Sequence, residues 1–268
     1  MSQSVNEFFD RLWGNYIEIT PSAKKIHQVL GDGSDIINDH VAFRTFNLPG
    51  INLSALASFF TDMGYQEKGQ YEFTSKKLNA KHFEHVDSTL PKVFMSELKL
   101  ELCSDALNNI VNRLVAQLDR SLLGDSRFLY SGAHWQVSYQ DYLALLEESE
   151  YAAWMAAFGY RANHFTVSVN HLKQFKTLQD VNRVLKDNGF SLNQSGGEIK
   201  GSSEVMLEQS STMADKHIVK FSDGERAIPG CFYEFAYRYP QADGRLYQGF
   251  VEASADKIFE STHSHTGR

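Results

Sequence analysis

The sequence predicts an α+β fold in which two pseudo-repeated βαβββ modules form a curved, barrel-like mixed sheet around a central cavity. Three observations predict it. The strand-like stretch Asp39-His-Val-Ala-Phe-Arg-Thr-Phe46 has a counterpart in Arg161-Ala-Asn-His-Phe-Thr-Val-Ser-Val169. Each is followed by an amphipathic helical stripe and then by further strand-like runs, so element order repeats even where identity is weak. Between them, residues 104–160 change to helical periodicity. The 268 residues are read as one domain. N-terminal helices occupy 1–37, module one 38–103, the helical insertion 104–160, module two 161–240, and a C-terminal segment and tail 241–268.

Residues 5–30 have apolar positions at helical spacing, among them Phe8, Leu12, Ile17 and Ile19. Thr20-Pro21-Ser22 restarts a second helix at Pro21, where a missing N–H goes unnoticed, and Gly31-Asp-Gly33 ends it. In the Asp39–Phe46 strand the side-chain period of two puts His40, Ala42, Arg44 and Phe46 on one face and Val41, Phe43 and Thr45 on the other. Pro49-Gly50 closes it. Leu53, Leu56, Ala57, Phe60 and Met63 then make a helical stripe capped by Gly64. Strands are expected at Tyr71–Ser75, Ala80–His85 and Lys92–Leu102. In the insertion, Leu107, Ile110, Val111, Leu114, Val115 and Leu118 form one stripe, and Tyr142, Leu145 and Leu146 begin another.

Module two repeats the order. His164, Thr166 and Ser168 share a strand face, and Leu172, Phe175, Leu178, Val181 and Leu185 make a helix closed by Asn188-Gly189. Strands are expected at Phe190–Asn193, Val205–Ser210 and Gly230–Tyr239, with an extra short one at Lys216–Phe221.

Composition narrows the function. A net charge of -7 argues against nonspecific nucleic-acid binding, which needs basic surface. The opening residues lack a basic and an apolar region of the signal-peptide kind, and no apolar run is long enough to span a bilayer. Two cysteines imply no disulfide framework. The expectation is a cytoplasmic protein with no nucleic-acid or membrane partner; oligomeric state leaves no mark in the sequence. Gly196-Gly197 and Gly201 read as turn glycines without a phosphate-loop fingerprint, and no Gly-x-Ser-x-Gly elbow is present.

The chemistry lies in the repeat. His40 and His164 open equivalent strands, so pseudo-symmetry directs both into one cavity. In Cys231-Phe-Tyr-Glu-Phe-Ala-Tyr-Arg238, residues Phe232, Glu234 and Ala236 share a face, and a carboxylate amid such apolar surface must be paired or bound to metal. Taken singly, each of the three reads as a hydrogen-bonded structural residue; the shared register is what makes them a set. His40, His164 and Glu234 then form a two-His-one-carboxylate triad, the arrangement that leaves open positions on non-haem Fe(II). Arg44 lies roughly 13 Å along the strand from His40, a separation suited to holding the far end of a small dicarboxylate. Glu97 is expected at the module-one position of Glu234, lining the cavity or pairing with a lysine. His82 and His85, three apart, fall on opposite faces, so one of them points inward. Arg226 is either a second anion contact or a surface loop charge. His134 reads as packed, His171 and His217 as solvated, and His263 and His265 as tail residues.

At Asp39-His-Val-Ala-Phe-Arg44, Ala162-Asn-His164-Phe-Thr and Ile228-Pro-Gly-Cys-Phe-Tyr-Glu234-Phe the chain resembles the 2-oxoadipate dioxygenase/decarboxylase family, also called 2-hydroxyglutarate synthases, whose core is similar to the vicinal oxygen chelate fold. The resemblance implies metal ligands at His40, His164 and Glu234, a substrate-binding arginine at Arg44, and an Fe(II) cofactor. It implies conversion of 2-oxoadipate and O₂ to 2-hydroxyglutarate and CO₂, a step of lysine degradation. The chain is shorter than the best-understood members, which carry more sequence around and after the core. Two other classes are compatible with the residues. One is another metal-dependent enzyme, a hydrolase, lyase or isomerase, using the same three ligands; the other is a non-catalytic small-molecule binder, against which an intact triad argues.

Overall fold

The computed structural model describes residues 4–31, 33 and 35–262. Helix α1 (Val5–Ile19) starts at a capping box, Ser4 and Glu7 each satisfying the other's backbone N–H. Helix α2 (Pro21–Gly31) begins at the proline, as expected. Then come β1 (Asn38–Phe46), α3 (Leu53–Asp62), β2 (Tyr65–Phe73), β3 (Leu78–His85) and β4 (Lys92–Leu98). Asn52 caps α3, and Gly64, at φ +96°, turns the chain out of it. The insertion carries α4 (Asp105–Val115), α5 (Tyr139–Glu148) and α6 (Glu150–Phe158). Module two comprises β5 (Ala162–Ser168), α7 (Leu178–Asp187), β6 (Lys200–Ser202), β7 (Leu207–Ser211), β8 (Lys216–Phe221), β9 (Gly224–Pro229) and β10 (Phe232–Arg238), with α8 (Glu252–Ile258) after it.

Eight strands form one curled mixed sheet in the order β2-β3-β4-β1-β5-β10-β7-β6, the α+β architecture the repeat predicts. At its centre β1 and β5 run antiparallel, each flanked by a parallel strand, β4 and β10 respectively. That local pseudo-symmetry brings the two histidine strands side by side. The outer face carries Phe43, Phe165 and Tyr233, covered by Phe60 of α3 and by Trp13 and Tyr16 of α1. The Tyr16 hydroxyl also donates to the carbonyl of Phe232, fixing α1 to β10. The inner face is closed by α6, whose Tyr151 hydroxyl bonds Ser96, and by Phe250 and Phe259 of the C-terminal segment.

Several expected elements shift. Of the expected Tyr71–Ser75, residues up to Phe73 end a longer strand while Thr74 and Ser75 enter a 3₁₀ turn, and the last residues of Lys92–Leu102 form another, Leu100–Leu102. Phe190–Asn193 supplies only an isolated bridge, Leu192 to Thr212, while the true outer strand is Lys200–Ser202. The apolar residues Leu172 and Phe175 precede α7, which waits for its cap at Thr177. The expected short strand Lys216–Phe221 is β8, but it pairs in a hairpin with an unexpected β9, and the expected Gly230–Tyr239 is trimmed to Phe232–Arg238. The 241–262 stretch, read as a terminal segment, supplies a wall of the inner face, whereas His263 and His265 lie outside the described residues.

Candidate metal centre

His40 sits on β1, His164 on β5 and Glu234 on β10, and the strand register gathers them. His40 pairs with Thr166, and Glu234 pairs with the same Thr166 from the other side, so all three expected residues face inward across three adjacent strands. One ligand atom from each lies within 4.8 Å of the others. His164 Nε2 is 3.1 Å from Glu234 Oε2, and His40 Nε2 is 3.7 Å from Glu234 Oε1. All are at most 4% exposed.

Each ring is aimed by the residue before it. His40 Nδ1 lies 2.7 Å from Asp39 Oδ1, and His164 Nδ1 lies 3.0 Å from Asn163 Oδ1. A carboxylate only accepts, so His40 Nδ1–H donates and Nε2 turns its lone pair inward. The Asn163 contact does the same for His164. Behind them Arg238 grips Asp39 through two hydrogen bonds, and Gln209 Nε2 donates to Glu234 Oε1 at 2.6 Å. Burial pushes the His40 imidazole's pKa down, but the facing Glu234 carboxylate and the Asp39 hydrogen bond outweigh it and the net shift is upward. Burial likewise opposes ionisation of Glu234, yet the two histidines bring it down to about 2. His164 moves down, dominated by burial.

Two imidazole lone pairs and a carboxylate facing one another form an acceptor-rich point that needs a proton or a cation. One hydroxyl, Thr166 Oγ1, stands 3.1 Å from His40 Nε2. The nitrogen–nitrogen–oxygen set, its second-row orientation and its dry setting fit a divalent transition metal.

Arg44 is buried on the same strand, its guanidinium enclosed by the rings of Tyr151, Trp154 and Phe259 at 5.0, 5.0 and 5.7 Å. Its Nη1 meets Glu150 at 3.1 and 3.3 Å, whereas Nε and Nη2 have no hydrogen-bond partner among the described residues. A buried guanidinium edge with two unused parallel donors suits a carboxylate.

Glu97 requires a correction. In the parallel β1–β4 register Arg44 pairs with Ser96 and Thr45 with Glu97, so Glu97 is on the outer face. There its Oε2 accepts from Leu53 N at the start of α3. The residue that β4 places where β10 places Glu234 is Phe94: it sits opposite Ala42, two beyond the His40 pair, as Glu234 sits two beyond the His164 pair. Arg226 is also excluded from the centre, being exposed on β9 with its guanidinium over Tyr139. Of His82 and His85, His82 is the inward one: buried, bonded to Tyr71 and Glu84, and against Phe250.

Sequence reasoning missed Asp39, Arg238, Gln209, Glu150 and Phe250. Arg238 had a signal, since it continues the period-two face of Glu234 and Ala236. Asp39 and Asn163 share one too, a polar residue before each histidine. Glu150 meets Arg44, and Phe250 meets His40, by long-range packing alone.

The curled mixed sheet, with two histidines and a glutamate gathered on its inner face, defines a two-module α+β protein with a candidate metal centre. A family model described as 2-oxoadipate dioxygenase/decarboxylase matches residues 15–127 and 126–245, and the chain belongs to that family. The rice 2-oxoadipate dioxygenase/decarboxylase, chloroplastic/amyloplastic, is 34% identical over 98% of this chain and 80% of its own length. The chloroplastic Arabidopsis thaliana protein of the same description is 34% identical, over 97% and 78%. Among solved structures, a rice hydroxyglutarate synthase in complex with 2-oxoadipate superposes with a TM-score of 0.88 at 33% identity, covering 98% of this chain and 95% of that one. A Shewanella frigidimarina protein provisionally described as a hydrolase gives 0.91 at 58% identity, covering 94% and 100%. No helix among the described residues is long and apolar enough to cross a membrane.

Proposed function

We propose that the protein is an Fe(II)-dependent dioxygenase that oxidatively decarboxylates a 2-oxo dicarboxylic acid, 2-oxoadipate first among them, to give 2-hydroxyglutarate and CO₂ from one O₂. The observation that carries this reading is the convergence of His40, His164 and Glu234 on one dry point, with each imidazole held by its Nδ1 so that Nε2 faces inward. In this reading His40, His164 and Glu234 are the metal ligands, and the metal supplies the centre at which the 2-oxo acid and O₂ react. The chain's own residues do the rest. Gln209 holds Glu234 at one oxygen, Asp39 and Asn163 hold the rings, and Phe94, Phe232 and Phe250 keep water out. Arg44 offers its free Nε/Nη2 edge to the substrate's distal carboxylate. The cysteine usage supports a cytoplasmic setting.

Metal content tests the triad. His40→Ala and Glu234→Ala are each expected to lose bound iron and turnover together; wild-type iron in either variant overturns the ligand set. A second reading, a metal-dependent hydrolase with the same ligands, draws on the provisional description of the Shewanella relative. It is separated by O₂ consumption, which hydrolysis does not require.

A further inference from the structure

Arg44 already has a carboxylate partner, and its placement is one-sided. Both Glu150 oxygens contact the single nitrogen Nη1, at 3.1 and 3.3 Å, leaving the Nε/Nη2 edge free. The Arg44 side chain is 1% exposed and that of Glu150 15%. Glu150 is the first residue of α6, with Ser149 as its cap, so the helix fixes where the carboxylate stands. It also lines a pocket of about 270 Å³ with Lys76, Lys77, Tyr151 and Phe259, and two of those residues, Tyr151 and Phe259, enclose Arg44 itself. The pocket therefore reaches the outer side of the Arg44–Glu150 pair.

From this geometry we propose that Glu150 is a positioning and affinity-setting residue for the distal carboxylate of a dicarboxylic substrate. The inference rests on the reading of Arg44 as the carboxylate clamp. By anchoring Nη1, Glu150 directs the two parallel N–H groups of the opposite edge inward, where a carboxylate docks side-on without displacing it. Its own negative charge then opposes the docked carboxylate across the guanidinium, in a setting where water screens little. Product keeps the same distal carboxylate, so a guanidinium with no internal counter-charge would release it slowly. Glu150 makes the site hold a dicarboxylate loosely enough to turn over.

Binding isotherms on the anaerobic Fe(II)-loaded protein separate this from a purely structural role. The probes are 2-oxoadipate and 2-oxohexanoate, which has the same chain length without the terminal carboxylate. Glu150→Gln keeps an acceptor for Nη1 and removes the charge. It is expected to lower the Kd of 2-oxoadipate about tenfold and leave that of 2-oxohexanoate unchanged, with KM and kcat falling together as release slows. An unchanged or raised 2-oxoadipate Kd overturns the proposal. Should Glu150→Gln not fold, Glu150→Asp withdraws the charge by one methylene and is expected to shift Kd in the same direction; no shift, or the opposite one, again overturns it. Arg44→Gln distinguishes the two levels. If it abolishes the preference for 2-oxoadipate while the Glu150 variants change nothing, the clamp stands and the role of Glu150 falls; if the preference survives Arg44→Gln, the clamp itself falls.

Discussion

Arg238 Nε donates to Asp39 Oδ2 at 2.6 Å and Arg238 Nη2 to Asp39 Oδ1 at 2.9 Å, and that same Oδ1 is 2.7 Å from His40 Nδ1. The pair is 1% and 6% exposed. Arg238 Nη1 also donates to the carbonyls of Tyr247 and Gly249, which ties the C-terminal segment to the histidine. The Arg238 guanidinium and the His40 ring both lie against Phe250 from that segment. One buried ion pair thus orients a ring of the centre and closes its wall.

Asp39→Asn leaves Arg238 buried without its charge partner and frees the His40 tautomer. The expected cost is about 3–5 kcal/mol of stability, read by urea unfolding. Metal affinity is expected to drop by roughly 10- to 100-fold, read by competition with a chelator. Unaltered metal affinity in a folded variant would show that Asp39 does not aim the ring.

Arg44→Lys replaces a planar fork with a point charge among three aromatic rings. KM for a dicarboxylic 2-oxo acid should rise about tenfold or more, with the smaller effect on kcat. An unchanged KM contradicts the assignment of Arg44 to the distal carboxylate.

Glu97→Ala separates the two outward and inward acids. Because Glu97 accepts from the N-terminus of α3, its loss should cost about 1 kcal/mol of stability and leave metal content as it was. Metal loss comparable to that of Glu234→Ala would return Glu97 to the centre.

Lys200 lies on the inner face, cross-strand from Gln209, and donates to the carbonyl of Asn193 at 2.6 Å. Burial lowers its pKa from 10.5 to about 8. Between those values the unfolded chain holds the proton that the folded one has released, so this group's contribution makes stability rise with pH across that window. Below about 8 both states are protonated and its penalty on folding is complete. Lys200→Met should remove the rise, as followed by thermal unfolding at closely spaced pH values; an identical pH profile for variant and wild type contradicts the burial effect.

The repeat, the two histidine strands and the inward triad were legible because a strand's period of two is local: His40, Arg44, His164 and Glu234 declare their faces from their own neighbours. The same rule read further would have reached Arg238. Glu97 resembles Glu234 in its place along a strand but has the opposite parity: the parallel register puts Phe94, not Glu97, in the equivalent place. Lys200–Ser202 was missed since three residues around a glycine at φ +84° carry no alternation to read. Leu172 and Phe175 have helical spacing but no cap before them, and the helix began where Thr177 supplied one. Glu150 and Phe250 meet Arg44 and His40 across 106 and more than 200 residues of chain, and no local pattern encodes such contacts.

O₂ uptake decides whether the protein is a dioxygenase. The protein, purified anaerobically and loaded with Fe(II), is given 2-oxoadipate, 2-oxoglutarate or 2-oxopimelate while O₂ consumption and CO₂ release are recorded together. With 2-oxoadipate, one CO₂ is expected per O₂ consumed, with 2-hydroxyglutarate as the product. Bound iron with no O₂ uptake from any of the three acids would contradict it.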